Sequence, residues 1–285
     1  MGNTAMDGPP RPEIGGWVIE RELGRGGMGV VHAVVHSGDG RRRALKLIRP
    51  DMSAGLPEPA DEWIVQFERE IAVHQGVRHP HVVRVEEVGN EAGLPYLVME
   101  LCEGGSLGDR VGADGPLPVG EAVPLFLDVL RAVHHIHTVR GTVHRDIKPH
   151  NILLSRGPDG APVAKLSDFG LAKAFETAGL SGLTRSGVFA GTIRFMPMEQ
   201  VVRYKYAKPP VDVWACAASL YFVLTGRAPR DSDGPTRRSR AVPVRERDAQ
   251  IPERLAQVLD QALDERSGER PRTAEQLGEA LRAAV

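Results

Sequence analysis

The stretch "ELGRGGMGVV", residues 22 to 31, sets glycines at Gly24, Gly26 and Gly29. This G-x-G-x-x-G spacing lets backbone N–H groups approach a phosphate chain with no side chain in the way. Lys46, in "RALKLI", supplies an ammonium suited to α- and β-phosphates, and Glu70 can pair with it and fix its position. Further on, "VHRDIKPHNILL", residues 143 to 154, and "LSDFGLAK", residues 166 to 173, set carboxylates, an ammonium and an amide along two short stretches. Together they indicate a phosphate-bearing ligand. The glycine pattern alone does not name a reaction.

The element that carries the glycines decides between two architectures. In a dinucleotide-binding fold the glycine turn leads from a strand into a helix, whose N-terminus holds the pyrophosphate. Here Gly29 is followed by "VVHAVV", a β-branched run ending in the turn "HSGDG", so the glycines tip a hairpin. "WVIEREL", "VVHAVVH" and "RRALKLI" read as a three-stranded antiparallel meander from Trp17 to Ile48. Residues 61 to 77 put Trp63, Ile64, Phe67, Ile71 and His74 at helical spacing, with Asp61 at the positive end of the helix dipole. "HVVRVEEVG" and "PYLVMEL" add two strands, giving a five-stranded sheet with one helix.

After "CEGGSL" the pattern turns helical, through "EAVPLFLDVLRAVHHIHT", "VDVWACAASLYFVLTG", "IPERLAQVLDQAL" and "TAEQLGEALRAAV". The expectation is an α+β, bilobal chain: a Pro- and Gly-rich tail at residues 1–13, a small β lobe at 14–101 and a mostly helical lobe at 102–285. A hinge falls near residues 100 to 105, and the cleft between the lobes is the natural ligand site.

With Gly-rich loop, strand Lys, H-R-D-x-K-x-x-N and D-F-G in this order, the chain resembles the eukaryotic-type (Hanks-type) Ser/Thr protein kinases, bacterial members especially, from about Trp17 to Ala280. The resemblance implies ATP with magnesium, manganese being able to replace it, and a protein substrate bearing Ser or Thr. Leu23, Gly24, Arg25, Gly26, Gly27, Met28 and Gly29 would cover the triphosphate. Val31, Ala44 and Leu153 would sandwich the adenine, and Met99, Glu100, Leu101 and Cys102 would form the hinge strand, with Met99 guarding the back pocket.

By the same resemblance Asp146 is the catalytic base and Lys148, the mark of Ser/Thr specificity, reaches the γ-phosphate. Asn151 and Asp168 offer hard oxygen ligands to the metal. Arg145 leaves a cation beside the catalytic loop that a phosphorylated activation segment can pair with; Thr184 and Ser186, eight and six residues before Thr192, are the expected acceptors. Thr192 would hold Asp146 and Lys148 near the substrate, and a transient homodimer would allow phosphorylation in trans. The competing reading is a pseudokinase, a nucleotide-binding scaffold that transfers nothing.

Two departures stand out. Where the family usually reads A-P-E the chain has Pro197-Met198-Glu199; Glu199 can still pair with Arg270 of "ERPRTAEQL". His74 stands where the family places an apolar residue. The triplet His134, His135 and His137 lacks a carboxylate or thiol to complete a metal set and reads as structural, and "TRRSRAVPVRERD", residues 236 to 248, reads as a solvated loop.

Composition narrows the partners. With 36 basic and 37 acidic residues the net charge of −1 gives no long-range attraction to nucleic acid or anionic membrane. The cysteines, Cys102 and Cys216, form no C-x-x-C pair, which fits a reducing, cytoplasmic setting. The apolar run around "WACAASLYFVLTG" is too short to span a bilayer and follows Asp212 closely.

Overall fold

A computed structural model describes residues 12–26, 29–48, 65, 68, 71, 76–169, 193–202, 207–231 and 240–285. The small lobe is an antiparallel sheet in the spatial order β1-β2-β3-β4-β6-β5. Its strands are β1 (Glu13–Ile14), β2 (Trp17–Gly26), β3 (Gly29–His36), β4 (Arg42–Leu47), β5 (Val85–Glu91) and β6 (Leu94–Met99). The sequence pattern gives five of these. The sixth, β1, takes Glu13 out of the expected tail: Gly15 and Gly16 turn at φ 57° and 81°, and Glu13 and Ile14 pair back onto Val18 and Trp17. Only glycine fits at 15, because a Cβ there would meet the Tyr96 hydroxyl at 2.0 Å.

β5 begins at Val85 rather than at His81. The backbone of residues 81–83 is committed elsewhere: Leu166 N–H donates to His81 O at 2.9 Å and Val83 N–H to Leu166 O at 2.9 Å. These bonds tie the small lobe to the strand that precedes Ser167 and Asp168. Alternation along β4 sends Leu45 and Leu47 to one apolar face with Trp17, Val34, Tyr96 and Val98. Ala44 faces the other side, toward Ile71, Val83, Leu97 and Met99. Val65, Glu68 and Ile71 are helical, Ile71 being buried; Trp63, Ile64, Phe67, Glu70 and His74 lie outside the described residues.

The large lobe contains α1 (Leu107–Asp114), α2 (Val119–Arg140), the hairpin β7 (Ile152–Arg156) and β8 (Pro162–Leu166), α3 (Met198–Val202), α4 (Pro210–Thr225), α5 (Val244–Arg247), α6 (Glu253–Ala262) and α7 (Ala274–Ala283). Helix α1, which the apolar pattern leaves out, is set by its N-terminus: Asp109 N–H donates to Ser106 Oγ at 3.0 Å and the Asp109 side chain reaches back to the Ser106 N–H. Helix α4 buries 13 of its 16 residues, so it is the axis of the lobe rather than an amphipathic cover. Trp214 and Tyr221 anchor it within a core shared with α2, α6 and α7.

Part of the arginine-rich stretch expected to be a solvated loop is ordered: residues 244–247 form α5, and Arg247 turns inward to pair with Asp231. Residues 236–239 of it lie outside the described residues. Among the described residues no helix is long and apolar enough to cross a membrane, and no cluster of three or more His, Cys, Asp or Glu side chains could hold a metal ion.

Candidate active site

Gly26 and Gly29 face each other at the tip of the β2–β3 hairpin, with Gly29 at φ 135°, a conformation open to glycine. Leu23, Gly24, Arg25 and Gly26 form the end of β2, and a Cβ added at Gly24 or Gly26 would meet nothing within 4 Å. That open space is what a phosphate chain under the hairpin requires. Arg25 turns to the surface and pairs with Glu22 at 2.8 Å. Gly27 and Met28 lie outside the described residues.

Below the hairpin, Val31, Leu101 and Leu153 pack against the buried cluster that contains Ala44, Met99 and Cys102. The residues assigned from the sequence to the adenine pocket therefore share one apolar patch drawn from both lobes. Met99 also lines a further small pocket, together with Ile71, Val83, Leu97, Asp168 and Phe169 among others. Glu100 uses its groups on neighbours: its N–H donates to Arg84 O at 2.9 Å and its carboxylate pairs with Lys165 at 2.7 Å. Burial pushes the Cys102 thiol up to about 12, with the Glu100 charge adding to the shift, so this sulfur is a packing group.

Lys46 and Asp168 meet across the cleft, Nζ to Oδ2 at 2.7 Å. The Lys46 side chain is 6% exposed, so this is a largely desolvated ion pair. Burial raises the Asp168 carboxyl, but the ammonium of Lys46, helped by Lys148 and His144, outweighs it and holds the group below the usual carboxylate range. Glu70, the other expected partner of Lys46, lies outside the described residues.

The loop from His144 to Asn151 is held by a dense set of bonds. Lys148 Nζ lies 3.2 and 3.1 Å from the two Asp146 carboxylate oxygens. Asn151 Nδ2 donates to Asp146 O at 2.8 Å and to Asp146 Oδ2 at 3.0 Å. Both bonds use the amide nitrogen, which leaves the amide oxygen for another ligand. Asn151 O accepts from Ser167 N–H and Ser167 Oγ at 2.8 and 3.0 Å, joining this loop to the segment that carries Asp168. His144 Nε2 lies 3.0 Å from Ser167 O, and its ring sits 5.9 Å from that of Phe169.

Arg145 and Asp168 both take left-handed backbone, at φ 68° and 60°. Such conformations cost about 1–3 kcal/mol each for residues other than glycine and persist where surrounding bonds enforce them. At Arg145 the enforcing group is Asp212. Its Oδ1 accepts from Arg145 N–H at 2.9 Å, and its Oδ2 accepts from His144 N–H at 2.7 Å and lies 2.8 Å from His137 Nε2. Asp212 is fully buried; burial raises its carboxyl, and the His137 and His144 interactions reverse that and hold it low. In the sequence Asp212 bears only on the question of a membrane span, although a lone carboxylate in an apolar helix is the signal for such a buried role. His137, read as structural, is the side chain that faces it.

Glu199 and Arg270 form the expected bridge, Oε1 to Nη1 at 2.5 Å and Oε2 to Nη2 at 3.2 Å. Helix α3 starts at Met198, so Pro197 directly precedes it, where its missing N–H costs no helical bond. Gln200, on α3, donates Nε2 to Arg145 O at 2.6 Å. Thr184, Ser186 and Thr192 lie outside the described residues.

The oxygen donors of Asn151 and Asp168 suit a hard divalent ion such as magnesium, which prefers few protein ligands alongside phosphate oxygens and water. The Asn151 hydrogen-bond pattern fits that role, because it turns the donor side of the amide away from the available oxygen.

A glycine-edged hairpin, an interlobar lysine–aspartate pair and a bonded H-R-D loop define a bilobal kinase-like fold. The chain matches the protein kinase domain family over residues 17–280 and belongs to that family. It is 34% identical over 276 residues to the serine/threonine-protein kinase pkn2 of Myxococcus xanthus, covering 93% of this chain and 32% of that protein. It is 34% identical over 214 residues to serine/threonine-protein kinase PknJ of Mycobacterium tuberculosis, covering 75% of this chain and 34% of that protein. The chain thus spans about a third of the length of these relatives. The crystal structure of Rad53 1-466 in complex with AMP-PNP superposes with a TM-score of 0.72 at 26% identity, covering 92% of this chain and 64% of that one.

Proposed function

We propose that the chain is an active Ser/Thr protein kinase, transferring the γ-phosphoryl group of ATP to Ser or Thr hydroxyls of proteins and of its own activation segment. The observation that carries this reading is the 2.7 Å Lys46–Asp168 contact, which joins a strand of the small lobe to the segment bonded to the Asp146 loop through Ser167 and Asn151. Phosphoryl transfer asks a protein mainly to align nucleophile and leaving group and to neutralise charge on the phosphoryl oxygens. Lys46 holds the α- and β-phosphates, and the glycine hairpin covers the chain with backbone N–H groups. Asp146 accepts the proton of the substrate hydroxyl as its oxygen attacks the γ-phosphorus, the bond to the β-phosphate oxygen breaks, and ADP leaves. Lys148, already within 3.2 Å of Asp146, balances charge on the transferred group. Magnesium, when held by Asn151 and Asp168, supplies further neutralisation of the phosphate oxygens.

The reading is supported by both kinase relatives, by Lys148 and by the intact Glu199–Arg270 anchor for a protein-binding segment. Incubation with labelled ATP and magnesium, with a generic basic protein as acceptor and Asp146→Asn as control, tests it. Label on the acceptor or the chain itself, absent in the control, is expected. No transfer by the wild type, with ATP still bound, makes the chain a nucleotide-binding scaffold.

A further inference from the structure

A second buried arginine holds the same segment that Arg270 grips. Arg230 lies on the loop after α4, and its side chain is 5% exposed. Its Nη1 donates to Met196 O at 2.8 Å, its Nη2 lies 2.6 Å from Glu265 Oε1, and its guanidinium carbon stands 4.4 Å from the centre of the Trp214 ring. No catalytic motif in the sequence includes it. A buried guanidinium is costly unless its charge is matched, and here a carboxylate and an aromatic face match it while one nitrogen is directed at a backbone carbonyl.

The location of that carbonyl gives the contact its meaning. Met196 directly precedes the Pro197-Met198-Glu199 stretch that departs from the family pattern. Arg270 secures the far end of the stretch through the Glu199 carboxylate, and its Nη2 also donates to Glu265 O at 3.0 Å. Glu265 therefore bonds to both arginines, to Arg230 through its side chain and to Arg270 through its backbone. Beyond the clamp, Gln200 of α3 reaches Arg145 O at 2.6 Å, immediately beside Asp146.

We propose that Arg230 is a positioning residue: with Arg270 it clamps residues 196–199 from both ends and so sets, through α3 and Gln200, the placement of a protein substrate relative to Asp146. Within this segment Arg270 holds a side chain, that of Glu199, whereas Arg230 holds main chain, the carbonyl of Met196. The inference rests on the kinase reading for its kinetic consequence and on geometry alone for its structural one.

Two measurements on Arg230→Met and Arg230→Lys separate these. Hydrogen exchange reads the clamp without any turnover: Arg230→Met is expected to speed exchange at the amides of Met196, Gln200 and Val201 by on the order of 10-fold or more, with β3 and β4 unchanged. Kinetics reads the consequence: kcat/KM for a protein acceptor should fall on the order of 10-fold or more while KM for ATP stays at the wild-type value. Arg230→Lys, which can keep the charge but not both bonds, should fall between. Unchanged exchange at residues 196–201 in Arg230→Met overturns the clamp. An equal loss for ATP and acceptor, tracking a lowered Tm, overturns the positioning role. If the wild type transfers no phosphoryl group, the kinase reading fails while the exchange result still decides the clamp.

Discussion

Replacing Asp212 with Asn removes one charge and keeps the shape, so it isolates what the buried carboxylate does. Three N–H donors converge on its two oxygens, from His137, His144 and Arg145. An amide has one acceptor oxygen, so at least one donor is left facing an NH2 group in a fully buried site. An unsatisfied buried donor costs about 1–3 kcal/mol, and losing charge assistance on the remaining bonds brings the total to about 3–4 kcal/mol. At about 2–4 °C per kcal/mol for a chain of this size, Tm should fall by about 6–16 °C. Because the folded carboxyl is held below its ordinary value, its stabilisation is complete above the ordinary carboxylate pKa and is lost as pH falls through the lower folded value. The gap between wild type and variant should therefore be widest near neutrality and close on strong acidification. Thermal melts followed by circular dichroism from neutral pH downward measure both. A drop of less than about 2 °C at neutral pH, or a gap independent of acid, refutes the claim that this carboxylate holds the His144–Arg145 backbone.

Other outcomes follow from single contacts. If Lys46 holds the phosphates as proposed, Lys46→Met should lower kcat/KM for phosphoryl transfer by about 100-fold or more, measured with saturating acceptor, because a desolvated cation is lost from the cleft. Replacing Thr184 and Ser186 together with Ala should reduce turnover and remove phosphate from those positions in peptide mass spectra; full turnover in the double variant contradicts their role. His79 is held neutral, its pKa lowered to about 4, by burial first and then by the neighbouring His135 and His81. Its ring stacks on His135 at 4.9 Å. The folded state therefore binds fewer protons than the unfolded one between pH 6.5 and about 4, and stability should decline as pH falls through that window. His79→Asn should flatten the decline in denaturant titrations across the same range.

What the sequence made legible followed from local rules. The glycine hairpin was readable because β-branched residues follow Gly29, and Lys46 because it falls on an alternating strand. Alternation likewise separates Ala44 from Leu45 onto opposite faces, as found. Strand β1 escaped because two residues carry no period; a Gly-Gly turn at positive φ forms it. β5 starts later than its apolar run because residues 81–83 give their backbone bonds to Leu166, a partner far away in the chain. Asp212, Gln200 and Arg230 each bond main-chain atoms of distant segments. Such pairings leave no spacing in the sequence, only a charged or polar residue at an apolar position.

Transfer of phosphate by the groups gathered around Asp146 can be read on the chain itself. Intact-mass spectrometry of the wild type and of Asp146→Asn, after the same incubation with ATP and magnesium, tests it most directly. Phosphoryl additions are expected on the wild-type chain and none on the variant. Equal additions on both, or none on a wild type shown to be folded and to bind ATP, would contradict it.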